Sequence, residues 1–340
     1  MMKILVRPAL LAGLVLVLAA CGERVIPPEP ETVSLFKDVT VHFTPDDSTL
    51  FDSPFASARD KGRVMATYRE MKNGRGPARV TLRLAVRPIR KDIRNMVDRW
   101  DRAGWIRLIR PDMEPVELVR FMTAYGGTIE HEVDITHLAP LLTGHCEFEV
   151  FIDTWVSPAW KVDAELVFTP DAAGGVNPPT WAAGVLFPDG GLTAERPEVT
   201  AEVTIPAGTR WIEVAVITTG HCTDGRDADE FITKDNVLLV DGQEVYRWRP
   251  WRDDCGDFRA VNPYCAKWAD GSWSSDYSRS GWCPGDVADP EFIDLSEWLT
   301  PGSHLVTWKV EDIRPKDPED EDEDGHHGYW RVSASLAGWR

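Results

Sequence analysis

Residues 79–88 read Arg-Val-Thr-Leu-Arg-Leu-Ala-Val-Arg-Pro, and residues 147–153 read Glu-Phe-Glu-Val-Phe-Ile-Asp. In the first stretch Val80, Leu82, Leu84 and Val86 share one face. In the second Phe148, Val150 and Ile152 face one way, and Glu147, Glu149 and Asp153 the other. Apolar residues at every second position mark a half-buried strand. Residues 211–218 and 329–339 repeat the pattern. Residues 237–246 hold two short runs around Asp241-Gly242, a dipeptide suited to the positive φ of a tight hairpin turn. No segment shows a convincing helical period. Many short strands between Gly/Pro turns predict an all-β protein built of antiparallel sandwiches.

The 340 residues suffice for two such units. The stretch PDAAGGVNPP at 170–179 is rich in Gly and Pro and reads as the break. It separates a body over 35–170 from one over 176–340. Thr-Gly-His-Cys occurs at 143–146 and again at 219–222, a repeat too short to prove duplication. Acids outnumber bases 55 to 37, giving −18. No basic footprint exists to release counterions from phosphates, so a nucleic-acid partner is not expected. Eleven of the 15 Trp lie after residue 175. They suit packing at strand corners, or stacking platforms for sugars or peptides.

The first twenty residues read as a leader rather than structure. Lys3 and Arg7 precede an apolar run over 10–20, too short to span a bilayer comfortably. The run ends in Leu18-Ala19-Ala20-Cys21-Gly22, which resembles a bacterial lipoprotein signal with Cys21 as the lipidated residue. The protein is therefore expected to be exported and lipid-anchored, touching the membrane through that anchor alone. Gly22 in place of Asp points to the outer membrane if the source is Gram-negative. Residues 21–34, polar and Pro-rich, read as a tether. Export favours disulfides. Cys146, Cys222, Cys255, Cys265 and Cys283 allow at most two, with one thiol left over.

Several familiar sites are missing: no GxSxG elbow, no phosphate-binding Gly loop, no dinucleotide fingerprint, no HExxH. The acidic run 317–324, with His326-His327 after it, opens like a calcium loop. Arg331 stands where the bidentate Glu should be, so a solvated loop is expected. No metal or cofactor is expected. The remaining chemistry is carboxylates among aromatics and arginines: Asp98-Arg99-Trp100-Asp101-Arg102, Asp153-Thr154-Trp155, Asp229-Glu230-Phe231, and the loop SRSGWCPG at 278–285.

At these residues the chain resembles the peptide-N-glycosidase F family. The strongest match is SRSGWCPG, preceded by Asp253-Asp254-Cys255, Asn262-Pro263 and Gly271-Ser272-Trp273. DRWDRAGWIRL, VRFMTAY, HEVDITHLAPLLTG, FIDTWV and ADEF followed by NVLLVDG occur in the family's order. The resemblance runs from about residue 35 to the C-terminus. It implies two eight-stranded antiparallel jelly rolls side by side, with the active site in the cleft between them.

The same resemblance implies roles. Asp101 and Glu230 fall on the family's catalytic carboxylates, and Asp153 on a third acidic site residue, there a Glu. Trp155, Arg102, Arg279, Trp282 and His221 fall on substrate-binding or cleft positions, with Trp155 and Trp282 expected to offer faces to sugar rings. Cys255 and Cys283 fall on a family disulfide. Hydrolysing an amide needs an activated water and a proton for the leaving nitrogen, which two carboxylates in different environments can supply. An arginine beside them can hold a carboxylate ionised or stabilise an oxyanion. The implied reaction cleaves the bond between asparagine and the first sugar of an N-linked glycoprotein or glycopeptide. Departures from the family are Gly126, Thr219 and Phe231 at cleft Trp positions, Asp153 for Glu, and Ala228 and Ile232 at a missing disulfide. Two other classes compete. A surface lipoprotein could bind glycans or protein through the same cleft without catalysis, which the lost aromatics favour. A copper monooxygenase on a related fold lacks support: no Met follows Met122 and no His-x-His occurs.

Overall fold

The computed structural model describes residues 29–45, 56–91, 95–171, 174–188, 191–222, 229–315 and 328–340. Cys21 with the leader, Ala228, the acidic run 317–324 and His326-His327 lie outside the described residues. The expected alternation appears as built strands. The first half contains β1 (Glu31–Val41), β2 (Ser57–Arg59), β3 (Val64–Met71), β4 (Ala78–Pro88), β5 (Ala103–Ile109), β6 (Val116–Met122), β7 (Ile129–Asp134), β8 (Gly144–Ile152) and β9 (Trp160–Pro170). The second contains β10 (Trp181–Leu186), β11 (Glu198–Ile205), β12 (Trp211–His221), β13 (Asn236–Val240), β14 (Gln243–Trp248), β15 (Val287–Ala288), β16 (Glu291–Asp294), β17 (Gly302–Val310) and β18 (Tyr329–Trp339).

All the pairings between these strands are antiparallel. In the first sandwich one sheet runs β1-β9-β4-β7 and the other β15-β6-β5-β8-β3-β2; in the second the sheets run β10-β18-β12-β16 and β11-β17-β13-β14. Val80, Leu82, Leu84 and Val86 are buried as the period requires, in a core shared with Ile106, Leu108, Phe148 and Val150 of the facing sheet. A separate core joins Val214, Val216 and Leu336 to Leu238, Val306 and Trp308. The fold is thus all-β and double. The hairpin turn has φ 51° at Asp241 and 81° at Gly242, as its sequence demanded.

Three details differ from the sequence reading. Residues 31–34 are not tether: Glu31 to Ser34 pair with Phe168 to Glu165. Their polar composition reflects an edge strand, which keeps one side in water. The two Thr-Gly-His-Cys runs are not equivalent, because one opens β8 and the other ends β12. Finally, β15 crosses over. Val287 and Ala288 pair with Phe121 and Arg120 at the edge of the first sandwich's sheet.

The junction between the halves explains β6. All seven of its residues are buried, because one face packs on the core and the other on the second sandwich. Arg120, 2% exposed, pairs with Glu117 at 2.6 Å. It also donates to Arg331 O (2.5 Å) and Thr219 Oγ1 (3.1 Å), tying β6 to β18 and β12. A buried guanidinium with these partners fixes the relative position of the sheets that carry the candidate site.

Candidate active site

Asp101 lies in the turn entering β5, and that turn is held from beneath. Buried Asp98 accepts hydrogen bonds from Thr154 Oγ1 (2.6 Å), Arg102 Nε (3.0 Å) and Trp100 N (3.3 Å). Thr123 Oγ1 accepts from Arg102 N (2.7 Å) and donates to Trp100 O (2.9 Å). Arg102 is therefore engaged by Asp98. Its side chain is anchored in the turn, and its charge adds a smaller pull on Asp101 than that of Arg279.

Arg279 is 1% exposed. Its Nε donates to Glu230 Oε1 at 3.0 Å, and its Nη2 lies 3.7 Å from Asp101 Oδ2. Two further hydrogen bonds run to Tyr277 O (2.7 Å) and Ser274 O (2.8 Å). One buried guanidinium thus faces carboxylates from both halves of the molecule. Glu230 reaches it because Ser280 N donates to Glu230 O and Gly220 N to Ser280 O, which staples 230, 280 and β12 together. The turn needs Gly281: φ is +82° and a Cβ there would lie 2.6 Å from Thr218 O. The Cys255–Cys283 disulfide is present, with a separation of 28 residues, and closes the segment that carries Arg279.

Burial pushes the Asp101 carboxyl above the usual aspartate range, against the opposing pull of Arg279 and of the Tyr125 phenol beside it. The Tyr125 phenol is raised in turn, first by burial and then by the Asp101 charge, so it stays a donor. Tyr125 is the site residue that the sequence reading missed. It sits inside the quoted VRFMTAY run. No spacing marks a lone Tyr as the partner of a carboxylate on another strand.

Other expected residues are arranged differently. Asp153 is held by Arg331 Nη2 (2.7 Å) and Arg63 Nη1 (3.4 Å) rather than by Arg279. These two ion pairs tie the end of β8 to Arg63 and to β18. Trp155 is 59% exposed, edge-on to Phe43 and 5.1 Å from the Arg63 guanidinium. The i, i+2 spacing of Asp153 and Trp155 thus brings both to Arg63. The expectation that Trp282 offers a face to sugar fails. Its ring is 3% exposed, Nε1 donates to Gly220 O at 2.8 Å, and the Arg279 guanidinium and His221 ring lie 4.9 and 5.6 Å away. It packs against Arg279. His221 is likewise enclosed, stacked on Tyr329 at 5.1 Å and bonded through Nε2 to Thr219 Oγ1. Burial, then Arg331 and Arg120, hold it neutral. It packs into the wall between Trp282 and Tyr329. A cleft of about 410 Å³ opens at the junction, lined among others by Arg63, Trp105, Asp153, Phe187 and Arg331. Among the described residues no group of three metal-binding side chains occurs.

Comparison with known proteins follows the same outline. Residues 111–168 match the family model described as peptide-N-glycosidase F, N terminal; residues 192–337 match peptide-N-glycosidase F, C terminal. Glu230 and Arg279 lie inside the matched ranges and Asp101 lies before the first. Peptide-N(4)-(N-acetyl-beta-D-glucosaminyl)asparagine amidase F of Elizabethkingia miricola is 25% identical over 258 residues, 69% of this chain and 70% of that one. Among solved structures, PNGF-II aligns with TM-score 0.80 at 22% identity over 92% of this chain, which spans 66% of the PNGF-II chain. PNGase F, a glycosylasparaginase from Flavobacterium meningosepticum, aligns with TM-score 0.68 at 15% identity over 92% of this chain and 96% of that one. The fold is shared, and both halves carry the family's sequence signature: the chain belongs to the peptide-N-glycosidase F family.

Proposed function

We propose that the protein is an amidase that hydrolyses the bond between asparagine and the first N-acetylglucosamine of N-linked glycoproteins or glycopeptides. The observation that carries this reading is the single buried Arg279 between Asp101 and Glu230, carboxylates from opposite halves of the molecule. A water oxygen attacks the side-chain amide carbon. Asp101, whose burial raises its proton affinity, takes the proton from that water and returns it to the leaving nitrogen. The carbon–nitrogen bond breaks, leaving Asp in the peptide and releasing a glycosylamine. Glu230 orients the attacking water or the amide from the opposite wall. Arg279 fixes the spacing of the two carboxylates and offsets the charge that develops on the carbonyl oxygen. Tyr125 holds the Asp101 carboxylate in one orientation.

The lipoprotein-like Leu-Ala-Ala-Cys at 18–21 supports a second part of the proposal: export, with lipid attached at Cys21 and anchoring in the outer membrane. Cys21→Ala should move the protein from the membrane to the soluble fraction, and unchanged fractionation would remove the anchor from the account. The amidase reading is tested by incubating purified protein with a short glycopeptide. Mass spectrometry should find Asp at the former glycosylated Asn. Binding without conversion would favour a glycan-binding lipoprotein that uses the same cleft.

A further inference from the structure

The segment between Cys255 and Cys283 carries more than Arg279. Two of its tyrosines remain well exposed, Tyr264 at 44% and Tyr277 at 37%. The chain under Tyr264 is closely determined. Asn262 is fully buried; its Nδ2 donates to Phe258 O (2.9 Å) and Pro284 O (2.8 Å), and its Oδ1 accepts from Tyr125 N (2.8 Å). Tyr264 N then donates to Tyr125 O at 3.1 Å. So Tyr264 is fastened to Tyr125, whose phenol lies beside Asp101. Its ring fits against the backbone at Gly126. There φ is +75°, and a Cβ would meet Met96 Sδ at 2.1 Å and Tyr264 Cδ2 at 2.6 Å. Only glycine leaves that space, and the Tyr264 ring edge and Met96 fill it.

Tyr277 stands on the other flank. Its carbonyl accepts from Arg279, and its ring meets Phe231 edge-on at 6.1 Å, next to Glu230 in sequence. Its hydroxyl shares a 2.8 Å hydrogen bond with Ser272, which fixes the ring. A rigid, part-exposed tyrosine gives a large apolar face at low entropic cost; the Arg90 guanidinium stands 5.8 Å from the Tyr264 ring centroid and helps to hold that ring. Sugar rings present apolar C–H faces and hydroxyl edges, which suit such a surface.

We propose that Tyr264 and Tyr277 are saccharide-contacting residues that grip N-acetylglucosamine rings on either side of the Asp101–Glu230 pair. The proposal rests on the amidase reading for its substrate class, but its binding test is separate. Each ring contributes through its face, so removing one should weaken substrate binding about five- to tenfold. Tyr264→Ala and Tyr277→Ala should raise KM for a glycopeptide by at least fivefold, with a smaller change in kcat. Tyr264→Phe and Tyr277→Phe keep the face and should recover most of the affinity that the Ala variants lose, Tyr277→Phe less fully because it also loses the Ser272 bond. Circular dichroism checks that each variant is folded. In parallel, calorimetric titration of N,N′-diacetylchitobiose into Asp101→Asn protein, with and without each tyrosine change, reads binding without turnover. Loss of affinity in the Ala variants supports the proposal even where wild type fails to cleave, an outcome that rejects only the amidase reading. If KM and affinity both stay within twofold in the Ala variants, the tyrosines are not contacts. If the Phe variants fall as far as the Ala variants, the ring face is not what binds. Absence of both cleavage and saccharide binding in wild type overturns both proposals.

Discussion

Replacing Arg279 by Met removes the guanidinium and keeps most of the side chain's volume. The structure sets the consequence. Arg279 is 1% exposed, and its partners Asp101 and Glu230 are 13% and 14% exposed in their side chains. Without it, two largely enclosed carboxylates face each other with no cation between them, and the carbonyls of Tyr277 and Ser274 lose their donor. Removing one partner of a buried ion pair typically costs about 3–5 kcal/mol. At roughly 2–4 °C per kcal/mol for a unit of this size, the thermal midpoint should fall by on the order of 10 °C. The pH dependence has a definite sign. Arg279 lowers the Asp101 pKa, so its loss raises that pKa further above the unfolded value of about 3.8. A raised carboxyl pKa favours the folded state while the group is protonated and loses that advantage as pH rises through the folded pKa. The destabilisation should therefore be small in acid and grow toward neutral pH. Urea denaturation of wild type and Arg279→Met at pH 4 and pH 8 measures it. A loss equal at both pH values, or a midpoint unchanged at pH 8, would refute the arrangement of one arginine between two carboxylates.

Further perturbations probe neighbouring parts of the account. Tyr125→Phe removes the phenol hydroxyl that lowers the Asp101 pKa, should lower kcat/KM by roughly ten- to a hundredfold, and should move the acid limb of the pH–rate profile upward; an unmoved limb would separate Tyr125 from Asp101. Breaking the 28-residue disulfide loop with Cys255→Ser and Cys283→Ser together should cost roughly 3–4 kcal/mol on a loop-closure estimate, read as a lower urea midpoint. Arg120→Met leaves Glu117 buried and unpaired at the junction, and should cost about 3–5 kcal/mol; a smaller effect than an exposed Arg→Met control would show that the junction does not depend on it.

Strands were readable wherever one face meets water. Residues 79–88 alternate because β4 has a core side and a wet side, and the pattern names the buried residues directly. β6 gave no such signal, because it is buried on both faces and includes Glu117 and Arg120 in its interior. Residues 31–34 look like tether in sequence because an edge strand tolerates polar side chains. Asp101, Glu230 and Arg279 were recognisable through short ordered motifs carried by the resemblance. Their meeting on one guanidinium was not, because it depends on how two sandwiches pack. The part played by Tyr125, and the bond from Thr154 that makes Asp98 a support for the turn, stayed hidden for the same reason: each depends on another segment. Trp282 and His221 do lie at the site, but enclosed in its wall rather than with open faces. Burial decides between a platform and a buttress, and a Trp in a loop motif looks the same in either case.

The most direct test of the central claim is hydrolysis of a defined glycopeptide in oxygen-18 water, followed by mass spectrometry of the peptide. The account predicts that wild type converts the glycosylated Asn to Asp carrying one labelled oxygen in the new carboxyl, and that folded Asp101→Asn leaves the glycopeptide intact. An unconverted glycopeptide with wild type, or equal conversion by Asp101→Asn, would contradict it.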